Sequence, residues 1–185
     1  MKIRKIRKIR NMNKENKILQ WEPLQIEGFS ALQNQNISER IRRILKEWEG
    51  TPHMDGQQTK GVACDCVHFV AGVLDELAGT TTPLNVFPPD SAFHSKETAW
   101  KAFRQFKNRF DGIEVPKKTI FQPGDVLIVG PRNGGPGHAV LVGADEDIWH
   151  CNSRKVVRTG LGYLRIASVR FKKALRFKNR KNWRT

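Results

Sequence analysis

The chain has 185 residues, with 33 Lys/Arg against 18 Asp/Glu, a formal charge of +15 and an apolar share of 38%, a size that fits one domain around one sizeable core. No apolar run approaches the ~20 residues that span a bilayer, and the charged start Met1–Arg10 has no apolar stretch behind it, so neither a transmembrane segment nor an ordinary secretory signal is expected. The odd set Cys64, Cys66 and Cys151 speaks against a disulfide framework and for reduced thiols in a chain made in the cytoplasm, which something else must carry out if it acts outside the cell.

The charge is uneven. Residues 1–17 hold eight Lys/Arg and one Glu, residues 170–185 hold eight Lys/Arg and no acid, and residues 18–169 hold 17 of each sign. This divides the chain into a basic N-terminal arm (1–17), a neutral domain (18–169) and a basic C-terminal tail (170–185). Such arms attract polyanions, whether nucleic acid, teichoic acid, anionic lipid or an acidic partner protein, or remain solvated.

Along the chain, residues 18–35 show little periodicity and read as an extended lead-in. Over 37–48, Ile37, Ile41, Ile44, Leu45 and Trp48 share one helical face, with Asn36 and Glu39 spaced as a capping box and Gly50-Thr51-Pro52 as the stop. Residues 66–78 predict a second helix with the stripe Val67, Val70, Ala71, Leu74, Leu77 and Ala78, ended by Gly79. A third is expected over 95–108, with Ala99, Ala102, Phe103 and Phe106 inward. Beyond Pro123-Gly124-Asp125, the segments Val126–Val129, His138–Val142, Asp147–His150, Val156–Arg158 and Leu164–Val169 are short, β-rich and separated by Gly or Asn turns. Helices followed by strands predict an α+β fold with an antiparallel sheet.

Three features of this pattern carry chemistry. Cys66 opens the second helix, where free N–H groups and the positive end of the dipole favour a thiolate nucleophile. His138 opens a strand after the glycine-rich loop Asn133–Gly137. His150 ends the next apolar segment, so a tight turn would set it beside His138 as a second ring that orients the first; Asn152 is the alternative orienting residue.

Taken together, Asp65-Cys66-x-x-Phe69-Val70, Pro123-Gly124-Asp125-Val126, Gly137-His138-Ala-Val-Leu-Val-Gly143 and the closing His150, with Glu49-Gly50-Thr51-Pro52 ahead of them, resemble the NlpC-type cell-wall cysteine peptidases over about residues 37–152. The resemblance implies a papain-like core in which the nucleophile helix packs on a sheet carrying the histidine. It implies Cys66 as nucleophile, His138 as base and His150 as its orienting partner, with Asp65, His53 and His68 beside the substrate. The implied reaction is hydrolysis of peptidoglycan stem peptides, between D-glutamate and a diamino acid. The small size without a signal is similar to the phage-encoded, tail-associated members, with a virion location acting at the bacterial wall. The family often has a tyrosine after the Gly-x-Pro turn, where His53 stands here, and Ser-Gly after the nucleophile, where Val67 and His68 stand.

Other functions fit parts of the same pattern. Cys64, Cys66, His68, His150 and Cys151 are suitable zinc ligands, but Cys-x-Cys with His is not a common structural spacing and no Cys-x-x-Cys pair is present, so no metal and no cofactor is expected. A degenerate papain-like domain acting as a virion or nucleic-acid-binding component, and a thiol amidase or acyltransferase on another substrate, use the same core.

Overall fold

The computed structural model describes residues 30–89, 95–116, 120–131, 137–165, 169–178, 180 and 183. The N-terminal arm expected over 1–17, and 18–29 of the lead-in, lie outside these residues. Among the described residues no helix is long and apolar enough to cross a membrane.

Helix α1 spans Ala31–Trp48 and buries Ile37, Ile41, Ile44, Leu45 and Trp48, the face read from the sequence. It starts earlier than the expected Asn36 cap, so 31–35 are helical rather than extended. The reason is local: the Ser30 hydroxyl accepts from the Gln33 N–H while the Gln33 side chain accepts from the Ser30 N–H, a complete capping box. A two-stranded ribbon follows, β1 (Gln58–Thr59) with β2 (Ala63–Cys64). Helix α2 spans Cys66–Ala78 and ends on Gly79 in the left-handed conformation, as the sequence predicts. Trp48 of α1 lies against Gly72 of α2, where a Cβ would come within 2.5 Å of its ring, and its Nε1 donates to Glu76 at 2.7 Å. Helix α3 spans Lys96–Arg109, capped by the Ser95 hydroxyl, with Ala99, Ala102, Phe103 and Phe106 buried as expected.

The remaining strands are β3 (Gly112–Val115), β4 (Val126–Pro131), β5 (His138–Val142), β6 (Asp147–Cys151), β7 (Val156–Gly160) and β8 (Val169–Phe177). They form one antiparallel sheet in the order β3-β8-β4-β5-β6-β7. The fold is therefore α+β, with a helix opening on Cys66 packed against an antiparallel sheet that carries His138. Strand alternation sorts the sheet's residues. Val126, Ile128, Ala139, Leu141, Trp149 and Leu175 join the α2 stripe in the larger core. Leu127, Val140, Val142, Ile148 and Ala174 form a second cluster with Phe121 and Leu164.

Two sequence expectations are corrected here. Leu164–Val169 is not one strand: Leu161–Arg165 forms a 3-10 helix and the strand begins at Val169. The described residues of 170–185 are likewise not a free basic tail, because β8 runs inside the sheet between β3 and β4. Several of its cations meet acids from neighbouring segments. Lys173 pairs with Glu114 at 2.6 Å and sits over the Trp100 and Phe103 rings. Arg176 and Arg180 both bind Asp125, at 2.9 and 2.6 Å. Trp183 closes over the Arg180 guanidinium at 5.1 Å and against Gly124, where a Cβ would meet its ring at 2.5 Å. The described part of the segment is thus a structural element of the domain, which extends past residue 169.

Candidate active site

Asp65 fixes the start of α2. It is the N-cap, and its Oδ1 accepts from the Val67 and His68 N–H groups at 3.0 and 2.9 Å. Its Oδ2 accepts from the Gly56 N–H at 2.7 Å and lies 2.8 Å from His68 Nδ1. The second His68 nitrogen, Nε2, faces the Leu84 carbonyl at 3.1 Å. With an acceptor at each nitrogen, His68 is held as an imidazolium. Burial opposes that charge, but Asp65 outweighs it and raises the His68 pKa; Asp65 is likewise pushed upward by burial and brought down further by His68 and its N–H donors. Asp65 and His68 are buried, at 0% and 1% exposure. The structure thus places these two expected substrate-side residues inside the helix start, bonded to each other.

Cys66 occupies the first position of α2 and is itself fully buried. His138 opens β5 and His150 lies near the end of the neighbouring strand β6. A bulge between Ile128 and Val129 bends β4 where Val129 pairs with His138. His138 Nε2 lies 2.9 Å from His150 Nδ1, with the rings edge-to-face at 86°. His150 is thus the ring bonded to His138; the Asn152 carbonyl oxygen instead accepts from the Arg154 and Lys155 N–H groups and closes a turn.

Both rings are held neutral. Burial pushes the His138 pKa down to about 3, with the nearby His150 and His53 charges adding to it, and burial pushes His150 down to about 4. A neutral His138 can take a proton from a thiol. When its Nδ1 is left free to do so, its Nε2–H donates to His150. The far nitrogen of His150, Nε2, is buried with no protein partner among the described residues. His53, joined to Cys64 by a β-bridge, is close enough to His138 to act on it electrostatically.

One residue of the site was not foreseen. Tyr163, the chain's single tyrosine, stacks on His150 with ring centroids 4.7 Å apart and an interplanar angle of 29°. Burial raises its pKa, and the Cys66 charge raises it further, so Tyr163 lies within electrostatic reach of Cys66 as well as against His150. The sequence signal was faint: an isolated aromatic in Gly160-Leu-Gly-Tyr163, inside a stretch read as approaching a strand.

No family model matches the chain, and no curated protein matches it. Among solved structures the chain is similar to the NlpC/p60 domain of the peptidoglycan hydrolase SagA, at 15% identity and a TM-score of 0.49, over 76% of this chain and 98% of that one.

Proposed function

We propose that this protein is a cysteine peptidase that hydrolyses amide bonds in the stem peptides of bacterial peptidoglycan. The observation that carries the chemistry is the 2.9 Å His138–His150 pair, in a fold whose second helix opens on Cys66. Neutral His138 takes the Cys66 proton, and the resulting thiolate attacks the substrate carbonyl carbon. The protonated ring then gives its proton to the leaving amine as the C–N bond breaks, leaving a thioester on Cys66. His138 next deprotonates a water that hydrolyses the thioester and regenerates the thiol. His150 holds the base in orientation through both halves of the cycle.

What supports the wall substrate, the D-glutamyl to diamino acid bond and a tail-associated phage lysin is the motif resemblance set out above. The basic residues of 1–17 complete the proposal as an arm for a polyanion such as teichoic acid or nucleic acid, or for an acidic virion protein. The test is incubation with purified peptidoglycan followed by mass analysis of the soluble fragments. New amino and carboxyl ends within stem peptides are expected. Intact stem peptides after prolonged incubation with reduced protein would refute the wall substrate.

A further inference from the structure

Two thiols flank the site without belonging to it. Cys64 precedes Cys66 by two residues, in the strand that leads into α2, and Cys151 follows His150 at the end of β6. Both are reduced in the structure, and their exposures are 0% and 1%. The backbone locks their two segments together through residues 51–53. Cys64 N–H donates to the Pro52 carbonyl at 2.9 Å, Val156 N–H donates to the Thr51 carbonyl at 2.8 Å, and Pro52 bridges Lys155. Cys151 is the partner of Val156 across β6 and β7. Across this junction the Cys151 thiol lies 3.3 Å from the Cys64 carbonyl oxygen, between residues 87 positions apart in the chain.

We propose that Cys64 and Cys151 are a disulfide-forming pair, closing when the protein meets an oxidising medium and tying the strand that leads into α2 to the strand that carries His150. The proposal does not rest on the hydrolase assignment. The neighbouring Cys151 and burial together raise the pKa of the Cys64 thiol strongly. A raised, buried thiol attacks a disulfide slowly, so closure is fastest during refolding, when both thiols are open to reagent. The chemistry balances with oxidised glutathione as the oxidant. One thiolate displaces glutathione to give a mixed disulfide, and the second displaces the other glutathione. Two protein thiols are oxidised and one glutathione disulfide is reduced to two thiols. A crosslink over so long a loop constrains the unfolded chain strongly.

The experiment uses Cys66→Ser, which leaves Cys64 and Cys151 as the remaining thiols, refolded in a glutathione redox buffer and compared with the reduced chain. The expected product has lost two hydrogens, resists alkylation after unfolding, yields one peptide pair joining residues 64 and 151, and melts roughly 5–10 °C higher until dithiothreitol is added. Two alkylatable thiols in the refolded product, glutathione adducts in place of the crosslink, or a lower melting temperature on crosslinking would overturn the proposal. Should Cys66→Ser not refold, peptide mapping of the wild-type chain decides the same question: a 64–151 link supports the pair, and a link through Cys66, or none, refutes it.

Discussion

Asp125 shows how a residue at the centre of a sequence motif serves the fold rather than the chemistry. It is fully buried and accepts from the Gln122 N–H at 2.9 Å, from Arg176 through both carboxylate oxygens at 3.1 and 2.9 Å, and from Arg180 at 2.6 Å. Arg180 is 3% exposed. Burial lowers its pKa to about 10, although Asp125 works to raise it. Substituting Asp125→Ala leaves this guanidinium buried beside Arg176 without its counter-charge. Breaking a buried pair from one side costs about 3–5 kcal/mol, which for a chain of this size lowers the melting temperature by roughly 6–20 °C. Calorimetry on the single variant and on Asp125→Leu with Arg180→Met separates the terms. The double variant should recover part of the loss, because it removes a charge together with its partner. A melting temperature within about 2 °C of wild type for Asp125→Ala would refute the docking of the C-terminal segment on Asp125.

Three further outcomes follow from the same geometry. The folded pKa values of His138 and His150, about 3 and about 4, lie below the ordinary value of 6.5. Below pH 6.5 the unfolded chain therefore binds protons that the folded chain refuses, and stability falls with pH through that window. For His150 alone the loss by pH 4.5 is about 2 kcal/mol. The raised His68 acts elsewhere: its contribution is fully present below 6.5 and is lost as pH rises through its folded value. Urea midpoints at pH 7 and 4.5 check the sign, and equal midpoints would contradict the neutral pair. Tyr163→Ala removes the stack on His150 and should lower kcat on a short stem peptide by roughly 10–100-fold with little change in KM, while Tyr163→Phe, which keeps the ring, should stay near wild type; equal losses in both would show that the hydroxyl, not the stack, matters. Deleting residues 1–17 should leave short-peptide cleavage unchanged and flatten the salt dependence of binding to a polyanion, whereas deleting 171–185 should unfold the domain, since it removes most of β8.

The elements legible in the sequence were those whose local signals agreed. Helix α2 has an aspartate cap, a complete apolar stripe and a terminal glycine, and its bounds match the expectation. The His138–His150 contact followed from strand period and a short connection. What was not legible depended on partners distant in the chain. Strand β8 reads as a basic tail because Lys173 and Arg176 look like free charge until Glu114 and Asp125 are beside them. Strand β3 is four residues long with only its two ends buried, too little pattern to register. Tyr163 lies in a 3-10 turn, where side-chain direction has no simple period, and its place over His150 is set by packing of the second core.

The account turns most directly on His138 as the base for Cys66. The decisive measurement is the hydrolysis rate of a soluble stem peptide by wild type, Cys66→Ser and His138→Ala, with circular dichroism confirming that each is folded. Both variants should fall by at least roughly 100-fold, and His138→Ala by as much as roughly 10,000-fold, the range that positioned proton transfer supplies. A folded His138→Ala that cleaves at the wild-type rate would contradict the assignment of the base and, with it, the proposed mechanism.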